Sequence, residues 1–140
     1  MSQPSFDPSP PGPVQPAERL DQVLTVLDEI DRVQQQTADL IRQSRLGEAM
    51  KLLDACFKAW GEVRTCLQQC AAALGTDLDT LEVDGRPAAE VFAALGEQLK
   101  SVRDALTSKD YVSLADVLGY EMADSVRDWR AVVRQLRAQA

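Results

Sequence analysis

The feature that most constrains the fold of this 140-residue chain is an apolar stripe over its last thirty residues. On one α-helix, with about 100° between successive residues, the stripe keeps to a single face for about seven turns. Its members are Tyr111, Leu114, Ala115, Leu118, Met122, Ser125, Val126, Trp129, Val132, Val133 and Leu136. Such a stripe predicts a long amphipathic helix that packs in a bundle, expected over residues 110–138. No catalytic group lies on this face.

Three further segments carry apolar residues at helical spacing, and they predict helices over residues 17–45, 47–74 and 87–107. The first two repeat with alternating steps of four and three, the heptad-like spacing of a coiled coil. Only a short turn around Gly47 separates them, so they are expected to form an antiparallel hairpin. The sequence therefore predicts an all-α protein, an up-down-up-down four-helix bundle formed by residues 17–140. A dimer of long hairpins is the structural alternative.

The expected helix ends carry the residues that favour them. Gly75 follows the second helix at the position where a left-handed residue commonly ends a helix. Ser108 or Asp110 is suited to cap the last helix. Residues 76–86 contain an Asp-Gly turn signal and are expected to run as an extended strap across one end of the bundle.

The first sixteen residues differ in composition from the rest of the chain. Residues 1–16 hold six of the seven prolines, which fix φ and remove amide donors. This segment is therefore predicted to be a disordered Pro-rich tail, separate from the bundle.

Charge and cysteine content indicate the environment of the protein. With 15 basic and 22 acidic residues, the net charge is −7, which disfavours nucleic acid and anionic membranes as partners. No apolar run approaches the about 20 residues that a membrane helix needs, and the N-terminus lacks a secretory signal. Cys56, Cys66 and Cys70 are an odd set in one expected helix and are interpreted as small apolar core residues. We expect a cytoplasmic protein.

The sequence offers little for catalysis. It has no histidine, and histidine is the usual base of nucleophilic triads and a member of the Glu-x-x-His motif of di-metal bundles. The glycines are scattered, mostly at expected helix ends, and form no phosphate-binding loop. No catalytic residue, cofactor site or metal site is predicted, and we expect that the protein is not an enzyme.

Polar residues interrupt two of the apolar stripes. Gln34 and Thr37 lie in the stripe of the first helix, where they either fix register against a symmetry mate or simply face solvent. The stripe of the second helix is Leu46, Met50, Leu53, Phe57, Trp60, Arg64, Leu67, Ala71 and Leu74. Arg64 lies within this stripe, and counting back from the turn places Asp31 within about one helical turn of its level. An interhelical Asp31–Arg64 ion pair, at least partly buried, is therefore predicted.

The last helix also presents charged and aromatic groups beside its apolar face. A basic stripe at steps of three and four includes Arg137, with acids on the opposite flank. The arginines either pair with neighbouring helices or form a site for an anion or acidic partner. Tyr120 points away from the apolar face, as an aromatic residue of a contact surface would. The candidate partner surface consists of Tyr120, Glu121, Arg127, Arg130 and Arg134.

A motif in the last third of the chain carries a resemblance. Residues 110–121 read DYVSLADVLGYE, with Val83-Asp84-Gly85 upstream and Trp129 downstream. Over about sixty residues this resembles a family of small, uncharacterised bacterial helical proteins with a DYxxLADxLxYE signature. The resemblance implies a helical fold and a bacterial origin, but no activity. In size and acidity the chain is also similar to flagellar and type III secretion chaperones, as a class.

Three functions remain as hypotheses. The first is a non-enzymatic interaction module, a helical bundle that binds another protein through a bundle groove or by self-association. Its adaptor or chaperone-like version predicts an exposed apolar groove. The second is a sensor or binding protein for a small anion, which would use Arg127, Arg130 and Arg134 of the last helix. The third is a structural homo-oligomer, such as a homodimer, in which the polar layer of the first helix meets its own symmetry mate.

Overall fold

Four helices account for most of residues 15–140, the part of the chain that the computed structural model describes. The all-α prediction is confirmed. The last helix, α4, is continuous but contains one π-helical turn. The helices are α1 Pro16–Arg42, α2 Leu46–Ala73, α3 Ala88–Ser108 and α4, which comprises Tyr111–Asp116, the π-turn Val117–Glu121 and Met122–Arg137. Of the predicted Pro-rich tail, residues 1–14 lie outside the described residues.

Three of the helices end in the same way. Ser44, Gly75 and Lys109 follow α1, α2 and α3 with left-handed φ values of 61°, 69° and 59°. After each of them, the next amide donates to the carbonyl five residues earlier, at 2.8–2.9 Å. This pattern satisfies carbonyls that the helix end leaves free. It ends α1 at Arg42 rather than near residue 45, because Ser44 has already left the helical conformation.

The connection between α2 and α3 contains a short β-hairpin. Glu82–Val83 (β1) pairs antiparallel with Arg86–Pro87 (β2). Asp84 and Gly85 form the two-residue turn with φ of 52° and 79°, the primed geometry that matches the twist of the strands. Val83 is buried against the bundle. The expected strap is therefore a hairpin anchored by one apolar side chain.

Adjacent helices run antiparallel and give the up-down-up-down order. Contacts between the helices join α1 to both α2 and α4, and α3 to α4. At one end of the bundle, Arg19 of α1 donates to Gln69 of α2 at 2.7 Å. α2 and α3 are instead separated by a groove that opens along the bundle. Within residues 15–140, no helix combines the length and apolarity that crossing a membrane requires.

The stripe of α4 forms the centre of the core. Every member is buried except Tyr111, which is half-buried. In α2 the buried face is rotated relative to the predicted stripe, because Cys56, Val63 and Cys70 face the core while Phe57 and Arg64 turn toward the groove. The buried face and the predicted stripe share Leu53, Trp60, Leu67 and Ala71, so they differ by a rotation of less than the about 100° between neighbouring residues.

The predicted Asp31–Arg64 ion pair is wrong. Among the described residues, no N–O distance of 4.0 Å or less joins these two side chains. Arg64 is exposed and lines the groove, because the rotation of α2 turns it away from α1.

The polar layer of α1 is buried inside the chain, with Gln34 and Thr37 both fully inaccessible. Gln34 Oε1 accepts a hydrogen bond from Trp60 Nε1 at 2.9 Å and a weaker one from Cys56 Sγ at 3.7 Å. Thr37 Oγ1 donates to the carbonyl of Val33 at 2.7 Å. Neither solvent exposure nor a symmetry mate accounts for these residues, since α2 supplies the partners of Gln34.

Candidate functional site: a groove between α2 and α3

The residues predicted as a partner surface all lie on α4 and differ in exposure and in ion pairing. Tyr120 is exposed at 67%, as expected, with the Arg42 guanidinium 5.8 Å from its ring centroid. Arg127 pairs with Asp124 at 3.1 Å on its own helix, and Arg130 pairs with Asp28 of α1. The remaining members, Glu121 and Arg134, are exposed.

The charged flanks of α4 face different neighbours. Arg130 and Arg137 reach acids on α1, the latter meeting Asp21 at 3.0 Å. On the other flank, Asp128 accepts from Arg86 at 3.1 Å. Such exposed pairs contribute at most about 1 kcal/mol each. For Arg130 and Arg137, the pairs match the interpretation of the basic stripe as pairing with a neighbouring helix.

The segment DYVSLADVLGYE, residues 110–121, has a structural role at its start. Asp110 caps α4 by accepting from the Ser113 backbone amide at 3.1 Å and from its hydroxyl at 2.6 Å. The Ser113 hydroxyl and then its amide lower the pKa of the Asp110 carboxyl below its usual value, because both hydrogen bonds favour the ionised form. Leu114 and Ala115 follow directly and are buried.

The same segment contains the π-turn, which α1 holds in place. A π-turn disturbs the regular carbonyl pairing of a helix, and such turns are frequent at functional sites. Here the Gly119 carbonyl accepts from Gln35 Nε2 at 2.9 Å, and the Ala115 carbonyl accepts from Arg42 at 3.5 Å. A Cβ atom at Gly119 would lie 3.3 Å from the Arg42 guanidinium and 3.6 Å from Ala38. Glycine therefore permits the close approach of α1.

A groove between α2 and α3 has a volume of about 1050 Å³. On the α2 side its lining runs from Phe57 to Ala72, which corresponds to about 22 Å of helix. Leu95, Leu99 and Leu106 line the α3 side. The groove is therefore long, mainly apolar and bounded by two helices.

Three aromatic rings from three helices lie together in the groove. Trp129 of α4 packs edge-to-face on Trp60 of α2, with ring centroids 5.2 Å apart, and on Phe92 of α3 at 4.8 Å. All three line the groove. Each edge-to-face pair adds about 0.5–1.5 kcal/mol to the stabilisation from burial. The base of the groove is therefore a rigid part of the core.

Two glycines in the interiors of helices line the groove. Gly61 follows Trp60 in α2, and Gly96 lies one turn beyond Phe92 in α3, so the two flank the aromatic cluster. A Cβ atom added at either position would meet nothing within 4 Å. Glycine inside a helix costs about 1 kcal/mol relative to alanine, and nothing within the described chain requires it here.

The groove carries charges of both signs at different places. Arg64, Lys100 and Arg103 line it, and among residues 15–140 none of the three belongs to an ion pair. Asp77 and Asp79 line the end next to the α2 C-terminus. A ligand would therefore meet an apolar surface with positive charge along its length and negative charge at one end.

The cysteines lie outside the groove and behave as core residues. Cys56 and Cys70 are buried and Cys66 is half-buried, all with free thiols. Burial raises the pKa of the Cys56 thiol to about 12. Burial, and next the neighbouring Cys66, raise the pKa of Cys70 to about 11. Thiols with raised pKa values are poor nucleophiles.

An exposed apolar groove was expected for an interaction module, but its position in the bundle was not predicted. The predicted stripe of α2 placed Phe57 and Arg64 in the core instead of on a second surface. The interior glycines Gly61 and Gly96 were an available signal, since a glycine inside a helical pattern often has a packing or functional reason.

Comparison with known proteins yields one family. A family model described as "Domain of unknown function (DUF8042)" matches residues 18–132, most of the chain. No curated protein and no solved structure matches the sequence.

Proposed function

The chain belongs to the DUF8042 family, a domain of unknown function, and we propose that it is a non-enzymatic protein-interaction module. Its groove between α2 and α3 binds an amphipathic helix of another protein, as an adaptor or chaperone-like protein does. The observation that carries the proposal is the groove itself, whose aromatic base is formed by Trp60, Phe92 and Trp129.

The dimensions of the groove support a helix as the occupant. The α2 wall extends for about 22 Å, the length of a helix of about four turns. Walls formed by two helices suit helix-in-groove recognition, in which residues at i, i+3, i+4 and i+7 insert as anchors. Gly61 and Gly96 allow the backbone of such a helix to approach closely, because neither carries a side chain.

Contacts within the chain favour this function over the two alternatives. An anion site on α4 would use Arg127, Arg130 and Arg134, and two of these three already pair with acids of the same chain. A homo-oligomer joined through the α1 polar layer would need Gln34 at the surface, but Gln34 is buried against Trp60. The three free thiols support a reducing compartment such as the cytoplasm.

Peptide display against the immobilised full-length chain tests the proposal. A random library long enough for four helical turns is selected on the wild type, on Gly96→Leu and on Gly47→Leu. Gly96→Leu fills the groove, whereas Gly47→Leu places the same side chain on α2 away from it, also in open space. Both changes raise helix propensity, so the fold is expected to persist.

The wild type and Gly47→Leu are expected to enrich sequences with apolar residues at helical spacing, and Gly96→Leu is not. Enrichment that survives Gly96→Leu, or sequences without helical periodicity, would contradict the proposal. Sedimentation of the free chain runs in parallel. A self-associated species that Gly96→Leu dissociates would identify a second copy as the occupant instead.

A further inference from the structure

The charges along the groove are arranged with a direction. Asp77 and Asp79 lie at the end next to the α2 C-terminus. Lys100 and Arg103 lie in the second half of α3, which runs away from that end because α2 and α3 are antiparallel. Arg64 lies between them along α2. The groove therefore changes from an acidic end to a basic end over its length.

A helix is itself polar along its axis, with a partial positive charge at its N-terminus and a partial negative charge at its C-terminus. We propose that the partner helix binds with its N-terminus at the Asp77 end and carries acidic residues in its C-terminal half, facing Lys100 and Arg103. It then runs parallel to α3 and antiparallel to α2. This inference rests on the proposed function and specifies the chemistry and direction of the partner.

The net charge of −7 does not oppose this arrangement at close range. Charges separated by more than about 10 Å are largely screened at 0.1 M salt, so an acidic side chain in the groove is affected mainly by the groove cations. Arg64, Lys100 and Arg103 have no ion-pair partner within residues 15–140, so binding would break no existing pair. Two or three such pairs together correspond to about a tenfold gain in affinity.

Three synthetic peptides of four helical turns test the inference, all with the same leucine and alanine stripe. One carries glutamates in its C-terminal half, the second carries the same glutamates in its N-terminal half, and the third replaces them with glutamine. The first two have equal composition and net charge. Glutamates near the N-terminus favour an isolated helix through its dipole, so intrinsic helicity favours the second peptide and the groove favours the first.

Fluorescence anisotropy of labelled peptides with the full-length chain measures binding. The C-terminal glutamate peptide is expected to bind about tenfold more tightly than its isomer at low salt, with the advantage reduced at high salt. Arg103→Glu is expected to remove the advantage. Lys51→Glu, which makes the same charge change on α2 outside the groove, is expected to keep it.

The outcomes separate this inference from the proposed function. Equal affinity of all three peptides, lost in Gly96→Leu, would overturn the charge and direction while leaving a helix-binding groove in place. Tighter binding of the N-terminal glutamate peptide would overturn the direction alone. Absence of binding by all three peptides, including the uncharged one, would count against the groove as a helix site and therefore against both.

Discussion

Replacement of Gln34 by leucine is expected to leave stability nearly unchanged when residue 60 is tryptophan and to raise it when residue 60 is phenylalanine. In the wild type, Gln34 Oε1 accepts from Trp60 Nε1 at 2.9 Å, and Gln34 Nε2 is buried without a partner among residues 15–140. Gln34→Leu alone removes that unsatisfied donor but leaves the indole N–H of Trp60 without an acceptor. Each unsatisfied buried group costs about 1–3 kcal/mol, so the two effects nearly cancel and the net change is within about 1 kcal/mol.

In the Trp60→Phe variant, Gln34→Leu no longer leaves an indole N–H without an acceptor. Loss of the indole leaves the buried amide with only the Cys56 thiol at 3.7 Å, and the smaller ring leaves space in the core. Trp60→Phe alone is therefore expected to destabilise the protein by about 2–4 kcal/mol. Adding Gln34→Leu to this variant removes the whole unsatisfied amide and is expected to recover about 1–3 kcal/mol.

Urea unfolding followed by far-ultraviolet circular dichroism measures all four proteins, because this signal does not depend on the replaced indole. The double variant is expected to be more stable than the sum of the single changes by about 1–2 kcal/mol, with similar urea m-values. If Gln34→Leu has the same effect in both backgrounds to within about 0.5 kcal/mol, the hydrogen bond is not coupled to stability and the reasoning is refuted.

Three further predictions concern the helix ends and the π-turn. Gln35→Ala removes the hydrogen bond to the Gly119 carbonyl and is expected to cost about 1 kcal/mol in urea unfolding. Lys109→Gly relieves a left-handed residue with φ of 59° and is expected to stabilise by about 0.5–1 kcal/mol in the same assay. Because the folded state lowers the pKa of Asp110, its carboxylate stabilises the fold at pH values above the pKa of the unfolded state. This stabilisation is lost as the pH falls through the pKa of the folded state. Ser113→Ala is expected to raise the folded-state pKa of Asp110 in a carboxyl NMR titration.

The first two of these predictions have matched controls, and the third has an outcome that would contradict it. Gln36→Ala changes an exposed glutamine next to Gln35 and is expected to alter stability by less than about 0.5 kcal/mol. Lys109→Ala removes the charge but keeps the strained conformation, so a gain equal to that of Lys109→Gly would contradict the backbone explanation. An Asp110 pKa that Ser113→Ala leaves unchanged would show that the hydroxyl does not stabilise the carboxylate.

Local sequence was sufficient to predict much of the fold. The α4 stripe, the glycine after α2 and the Asp84-Gly85 turn all depend on residues that are close in the chain. Asp110 was one of two residues suited to cap α4, and its side chain accepts from Ser113 as a cap does. These features follow from helical period, left-handed backbone positions and capping hydrogen bonds, which act over a few residues.

The π-turn was not predictable in the same way. Steps of four between Leu114, Leu118 and Met122 fit a regular α-helix equally well. The wider turn is accommodated by Gln35 and Arg42, which donate to carbonyls of α4 from another helix. The information needed to place it is therefore in the contact between α1 and α4.

The helical period of the sequence is enough to predict four amphipathic helices and the residues of α4 that share a face. Tertiary packing, in contrast, buries Gln34 against Trp60, keeps Arg64 apart from Asp31 and leaves a groove between α2 and α3. Neighbouring positions on a helix differ by about 100°, so a modest rotation of α2 exchanges Cys56 for Phe57 at the core. That rotation is set by packing against helices distant in sequence, which no local pattern records.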